Sequence, residues 1–102
     1  MLDKISVEYF QQWLGTPCAL KADSGHELTV VISSVDEKPQ ARMPGARMPF
    51  SVSVDSQHPT DFVDGLCHLE LGGMKELGQV FVSRVPPLGR DPNLAYYHIS
   101  FN

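Results

Sequence analysis

The sequence predicts a mostly β fold, a small antiparallel six-stranded barrel or two-sheet sandwich opened by a short N-terminal helix. Three observations carry that prediction. From Pro17 onward the apolar positions recur with a period of two rather than with the helical period. The alternating segments are short and are separated by clusters of Gly, Pro, Asp and Ser. No long helical pattern lies between them, as the crossovers of a parallel sheet would require. With 102 residues the chain reads as a single domain over residues 1–102, because either half alone would be too small to bury a core.

The helix is expected over about residues 6–14. Val7, Phe10 and Leu14 fall on one helical face and Trp13 widens it. Ser6 is a suitable N-cap, Glu8 suits the positive helix end, and Gly15 with Pro17 forms a stop signal. A helix this short is marginal alone, so its apolar face must dock, most simply as a plug over one end of the sheet or barrel.

Strands are expected from about residue 17 to residue 101. Cys18, Leu20 and Ala22 share one phase before the Asp23-Ser24-Gly25 turn. His26 to Glu37 is the longest strand, with Leu28, Val30 and Ile32 on one face and Thr29, Val31, Ser33 and Val35 on the other. Apolar residues on both faces there predict that the strand is covered on both sides or bends. Phe50 to Asp55 alternates apolar and polar at every step, predicting one buried and one wet face. A loop follows in which Phe62 is expected to tuck into the core. Leu66 to Leu71 places Cys67, Leu69 and Leu71 in one phase and Leu66, His68 and Glu70 in the other. Gln79 to Val85 and Leu94 to Phe101 complete the set.

Lys38 to Pro49 is the most irregular stretch. It holds a short echo, Ala41-Arg42-Met43-Pro44 and Ala46-Arg47-Met48-Pro49, hinged at Gly45. The prolines and the glycine forbid a regular helix or a central strand. An exposed loop of about a dozen residues is expected, long enough for function or mobility to be its usual explanation. Arg42 and Arg47 offer planar donor forks, and Met43 and Met48 offer adaptable apolar contact. These four are the candidate partner-binding residues.

Charge narrows the function classes. Eight Lys and Arg against twelve Asp and Glu give a formal charge of −4, which argues against a nucleic-acid partner. No apolar run approaches the roughly 20 residues needed to span a bilayer, and the start carries no signal-peptide pattern. The expectation is a soluble, cytoplasmic chain without a membrane partner, with signal-independent export left open. Cys18 and Cys67 form no CxxC pair. They read as reduced, buried thiols. The open alternative is a disulfide closing a long loop, worth roughly 4 kcal/mol in the loop-entropy model.

Several short pieces carry a family resemblance: Pro49-Phe50-Ser51-Val52, Gly65-Leu66-Cys67-His68, Val80-Phe81-Val82 and the ending Tyr97-His98-Ile99-Ser100-Phe101-Asn102. Together with the helix closing at Gly15, they resemble a small bacterial family known mainly as a domain of unknown function, with members encoded near phage-tail-collar-type proteins. That family tends to place a proline just after the Phe81-type strand core, where this chain has Arg84 and brings its prolines at Pro86 and Pro87. The resemblance implies no reaction and no catalytic residue.

Catalytic signatures are likewise missing from the residues. The four histidines, His26, His58, His68 and His98, form no HxH, HxxxH or HExxH. His68 and His98 lie on polar strand phases and would converge with Glu70 if their strands were neighbours, so these three are the weak ligand or metal candidates; otherwise they are half-exposed groups on a solvated face. Cys67 and His68 are adjacent in a strand and point to opposite faces, which argues against a local nucleophile dyad. No cofactor and no metal is expected. The leading expectation is a non-enzymatic protein-binding adaptor or structural component, in the context of a phage-tail-like or secretion-related assembly. The alternatives are a small immunity or inhibitor protein binding a toxin or enzyme, and a small-ligand barrel or enzyme using His68 and His98. Neither the partner's identity nor the oligomeric state follows from the residues.

Overall fold

A computed structural model describes residues 7–41, 44–45, 49–71 and 76–101. Six strands close into an antiparallel barrel: β1 (Pro17–Ala22), β2 (Glu27–Glu37), β3 (Phe50–Ser56), β4 (Asp64–Leu71), β5 (Glu76–Val85) and β6 (Tyr96–Phe101). Around the barrel the order is β1-β2-β3-β6-β5-β4. The crossover from β3 to β4 passes over one end, so β6 returns to pair with β3 and closure follows. Of the two architectures that the alternation allowed, the barrel is the one adopted. No helix among the described residues is long and apolar enough to cross a membrane.

Inward residues follow the period-two pattern. Leu20, Val30, Ile32, Val52, Val54, Leu69, Val82 and Ile99 are all fully buried and fill the interior. Phe50, Val52 and Val54 lie on the same inner surface as Ile99 and Phe101, with Val52 directly opposite Ile99. A one-residue slip would turn this whole set outward, so burial fixes the register.

The helix α1 (Val7–Gln11) is shorter than its apolar stripe suggested. The chain turns after Gln11, with Trp13 N–H donating to the Phe10 carbonyl at 2.9 Å. Leu14 therefore leaves the helical face: it bridges Ile32 of β2 and remains 46% exposed. Phe10 does plug the barrel end. Its ring centroid lies 5.2 Å from Phe101 and 5.9 Å from Phe50, which themselves stack at 4.8 Å.

The opposite end is closed by the loop between β3 and β4. Phe62 is buried there, 5.6 Å from the ring of Tyr97, whose hydroxyl donates to the Phe62 carbonyl at 2.7 Å. Arg84 adds donors to the Thr60 and Phe62 carbonyls at 3.3 and 3.5 Å. His26 contributes a ring contact to Phe62 at 5.5 Å.

Two expectations about faces are corrected. The bend expected in β2 is a bulge between Ile32 and Ser34, where the pairing with β3 shifts register. Ser33 is the extra residue, its hydroxyl donating to the Ser53 carbonyl and to Asp55, both at 3.1 Å. An added residue reverses the phase. Val35, expected opposite Ile32, consequently packs against the core and pairs with Val52. Ser51 and Ser53, expected on a wet face, are buried. β3 has partners on both sides, and Ser53 stands between Ser34 and His98, so its short side chain is overshadowed by its neighbours.

Candidate functional site

The candidate contact residues Arg42, Met43, Arg47 and Met48 lie outside the described residues. Pro44 and Gly45 between them are exposed, and Lys38 N–H donates to the Pro49 carbonyl at 2.7 Å across the neck of the loop. A surface depression of about 490 Å³ lies beside that neck, lined by Glu37, Lys38, Pro39 and Gln40.

His68, Glu70 and His98 sit on the outer wall formed by β4, β5 and β6. β5 separates the two histidine-bearing strands: His68 lies opposite Gln79, whereas His98 lies opposite Ser83. Convergence would have required adjacent strands, and β4 and β6 are not adjacent. His68 and Glu70 are taken up by the first hairpin instead. His68 Nε2 is 3.5 Å from Asp23, and Glu70 pairs with Lys21 at 3.1 Å. Gln79 of β5 donates to the same Asp23 carboxylate at 2.6 Å. No group of three or more metal-ligating side chains converges among the described residues.

The same wall carries an apolar pair that alternation alone did not single out. Leu66 of β4 and Phe81 of β5 are direct cross-strand partners and both point outward, 46% and 54% exposed. The next row toward the start of β4 pairs Asp64 with Ser83, and Ser83 with His98. The row on the other side pairs His68 with Gln79. A leucine and an aromatic ring are thus framed above and below by polar side chains. An apolar centre within a polar rim is the usual anatomy of a protein contact surface. The available signal was an aromatic between Val80 and Val82, whose inward phase left Phe81 no interior position.

A family model described as a domain of unknown function, DUF6916, matches residues 5–101. The chain belongs to the DUF6916 family. The match spans both the helix and all six strands, and it supports the resemblance to an uncharacterised domain family. No curated protein and no solved structure matches the DUF6916 chain.

Two further constellations bear on chemistry. Both cysteines of the DUF6916 chain are buried and neither is in a disulfide. Cys67 lies opposite Ala22 and Cys18 opposite Leu71 across the β1–β4 pair. Four residues of strand, about 13 Å, therefore separate them along the barrel, well beyond disulfide reach. Burial pushes the Cys67 thiol up to about 11, with the Asp23 carboxylate adding to the effect. A thiol so protonated is a poor nucleophile at neutral pH.

The other constellation went unseen in the sequence because its members are far apart. His26 Nδ1 meets the Ser24 hydroxyl at 2.9 Å, and His26 Nε2 meets Asp61 at 3.0 Å. Serine, imidazole and carboxylate thus form one chain, but Ser24 and Asp61 are exposed. A nearby depression of about 180 Å³ is lined by residues 27–29 and 58–60, not by Ser24. The chain of bonds ties the first hairpin to the loop that carries Phe62.

Proposed function

We propose that the DUF6916 chain is a non-enzymatic protein-binding domain, an adaptor or structural component whose contact surface is centred on Phe81 and Leu66. The observation that carries this reading is the exposed cross-strand pair on an otherwise polar wall. Ring and leucine each forgo the burial that Cys67, Leu69, Val80 and Val82 on the same strands obtain, and covering them would regain apolar free energy at about 25 cal/mol per Å². The exposed Asp64 at the edge of the patch favours a partner that brings a cation there.

The Arg42–Met48 loop is proposed as a second contact, on the strength of its arginines and methionines. A phage-tail-like or secretion-related assembly in a bacterial cytoplasm is the context we propose, and it rests on the sequence resemblance alone. The reading is tested by affinity purification from the native host with the wild-type chain and with Phe81→Ser. A protein that binds the wild type, and binds the folded Phe81→Ser chain at least tenfold more weakly, supports it. Equal binding of that partner by both chains overturns the assigned surface. In the same assay, replacing Arg42 and Arg47 by Ala should weaken binding with an almost unchanged Tm.

A further inference from the structure

We propose that the turn carrying Leu88 in one copy of the chain seats on the Phe81–Leu66 patch of a second copy, in a head-to-tail contact. The inference rests on the reading of that patch as a contact surface and names what covers it.

The turn is unusual in three ways. Leu88 has φ +53°, the only positive value at a non-glycine residue among those described, and Gly89 follows at +89°. With Arg90 N–H donating to the Pro87 carbonyl at 3.1 Å, these values mark a type I′ turn, where Asn or Gly is normal and leucine is disfavoured. Leu88 is also 82% exposed, so its side chain gains little packing to offset the strained backbone. Finally, the turn is braced. Arg90 donates to the Pro87 carbonyl through Nε at 2.7 Å and to the Pro86 carbonyl at 3.2 Å. Its guanidinium lies 3.9 Å over the Tyr96 ring and 3.8 Å from Asp55. Tyr96 in turn donates to the Asp91 carbonyl at 3.1 Å.

A solvent-exposed leucine on a strained and braced turn is the form of a preorganised anchor, because the backbone ordering cost of binding has already been met during folding. Its chemistry calls for a shallow apolar seat. The same chain presents one, uncovered, in Leu66 and Phe81. The flanking charges are of opposite sign: the partly exposed Arg90 lies two residues from Leu88, and the exposed Asp64 two residues from Leu66. A lipid surface is a poorer match, since a single leucine on a chain of charge −4 gains little from an anionic membrane. In the head-to-tail arrangement proposed, each copy uses its knob on one neighbour and its seat on another, so the contact repeats into a ring or an open chain.

Sedimentation velocity of the purified chain tests this directly, from about 10 μM to about 1 mM, the range suited to a small interface. The wild type should show a sedimentation coefficient that rises with concentration. Leu88→Asn keeps a residue that tolerates the turn but removes the knob. It should remain monomeric, with a Tm raised by about 2–6 °C as strain is relieved. Phe81→Ser should also remain monomeric. An equimolar mixture of the two variants should give a 1:1 dimer that does not grow, since only one knob and one seat remain per pair. Wild-type chain that stays monomeric throughout, or Leu88→Asn chain that associates like the wild type, overturns the proposal. If either result accompanies a native partner lost by Phe81→Ser, the contact surface stands and only its occupant is wrong.

Discussion

The two ends of the barrel are sealed by different chemistry. At the α1 end, Phe10 lies against the stacked pair Phe50 and Phe101, an aromatic seal without a polar contribution from the rings. At the other end a single aromatic, Phe62, is held by the Tyr97 hydroxyl, by Arg84 and by the Ser24–His26–Asp61 chain. The first seal depends on apolar area and packing, which are insensitive to pH. The second depends on hydrogen-bond donors and on groups whose ionisation is suppressed by burial. Burial raises the Tyr97 hydroxyl above its ordinary range as it does the Cys67 thiol. The difference indicates where the fold tolerates change: the α1 end is strong and unconditional, the Phe62 end conditional on protonation.

The largest expected effect breaks the aromatic seal. Phe10→Ala should cost about 3–5 kcal/mol, the range for deleting a fully buried ring, with the same loss at neutral and alkaline pH in denaturant titrations. Alkali should act at the other end. Cys67 prefers its neutral form in the folded state, so its contribution is complete below the ordinary thiol value of 9.0 and is lost as pH rises through about 11. Between pH 8 and pH 10.5, chemical denaturation should reveal a loss larger by about 2 kcal/mol in the wild type than in Cys67→Ala. A wild-type chain equally stable at both pH values would remove the asymmetry.

Smaller effects sharpen the comparison. Tyr97→Phe leaves the ring in place but leaves the Phe62 carbonyl with only the 3.5 Å bond from Arg84, which predicts a loss of about 1–2 kcal/mol and faster hydrogen exchange in residues 57–63 than at the α1 end. Asp61→Asn removes charge from an exposed pair and should change stability by less than about 0.5 kcal/mol in thermal melts. A substantially larger loss would make the His26 clamp a principal support of that end.

Much of the barrel was legible because alternation is a local property. The β3 and β6 patterns state which face is buried without reference to their partners, and the helix stripe located Phe10 as a plug. What alternation could not supply was its own interruptions. The bulge at Ser33 reverses the second half of β2, and only the pairing of Val35 with Val52 reveals it. Leu14 matched the helical period, yet the chain leaves the helix before reaching it. The candidate site was less legible for a related reason. His68 and Glu70 were visible as outward residues, but their partners Asp23 and Lys21 come from the first hairpin, almost fifty residues earlier in the chain. Leu66 and Phe81 each look ordinary alone. Their significance arises from being opposite one another, a fact of register rather than composition.

Closure has a consequence for recognition. In an open sheet the outermost strand offers a row of free N–H and C=O groups, and a partner can join by adding a strand of its own. Here every strand has a neighbour on both sides over at least part of its length, so no strand offers a whole free edge. A protein that recognises this barrel reads side chains more than backbone. Specificity would then reside in individual positions, and a single substitution on the wall could change a partner without disturbing the hydrogen-bonded frame behind it.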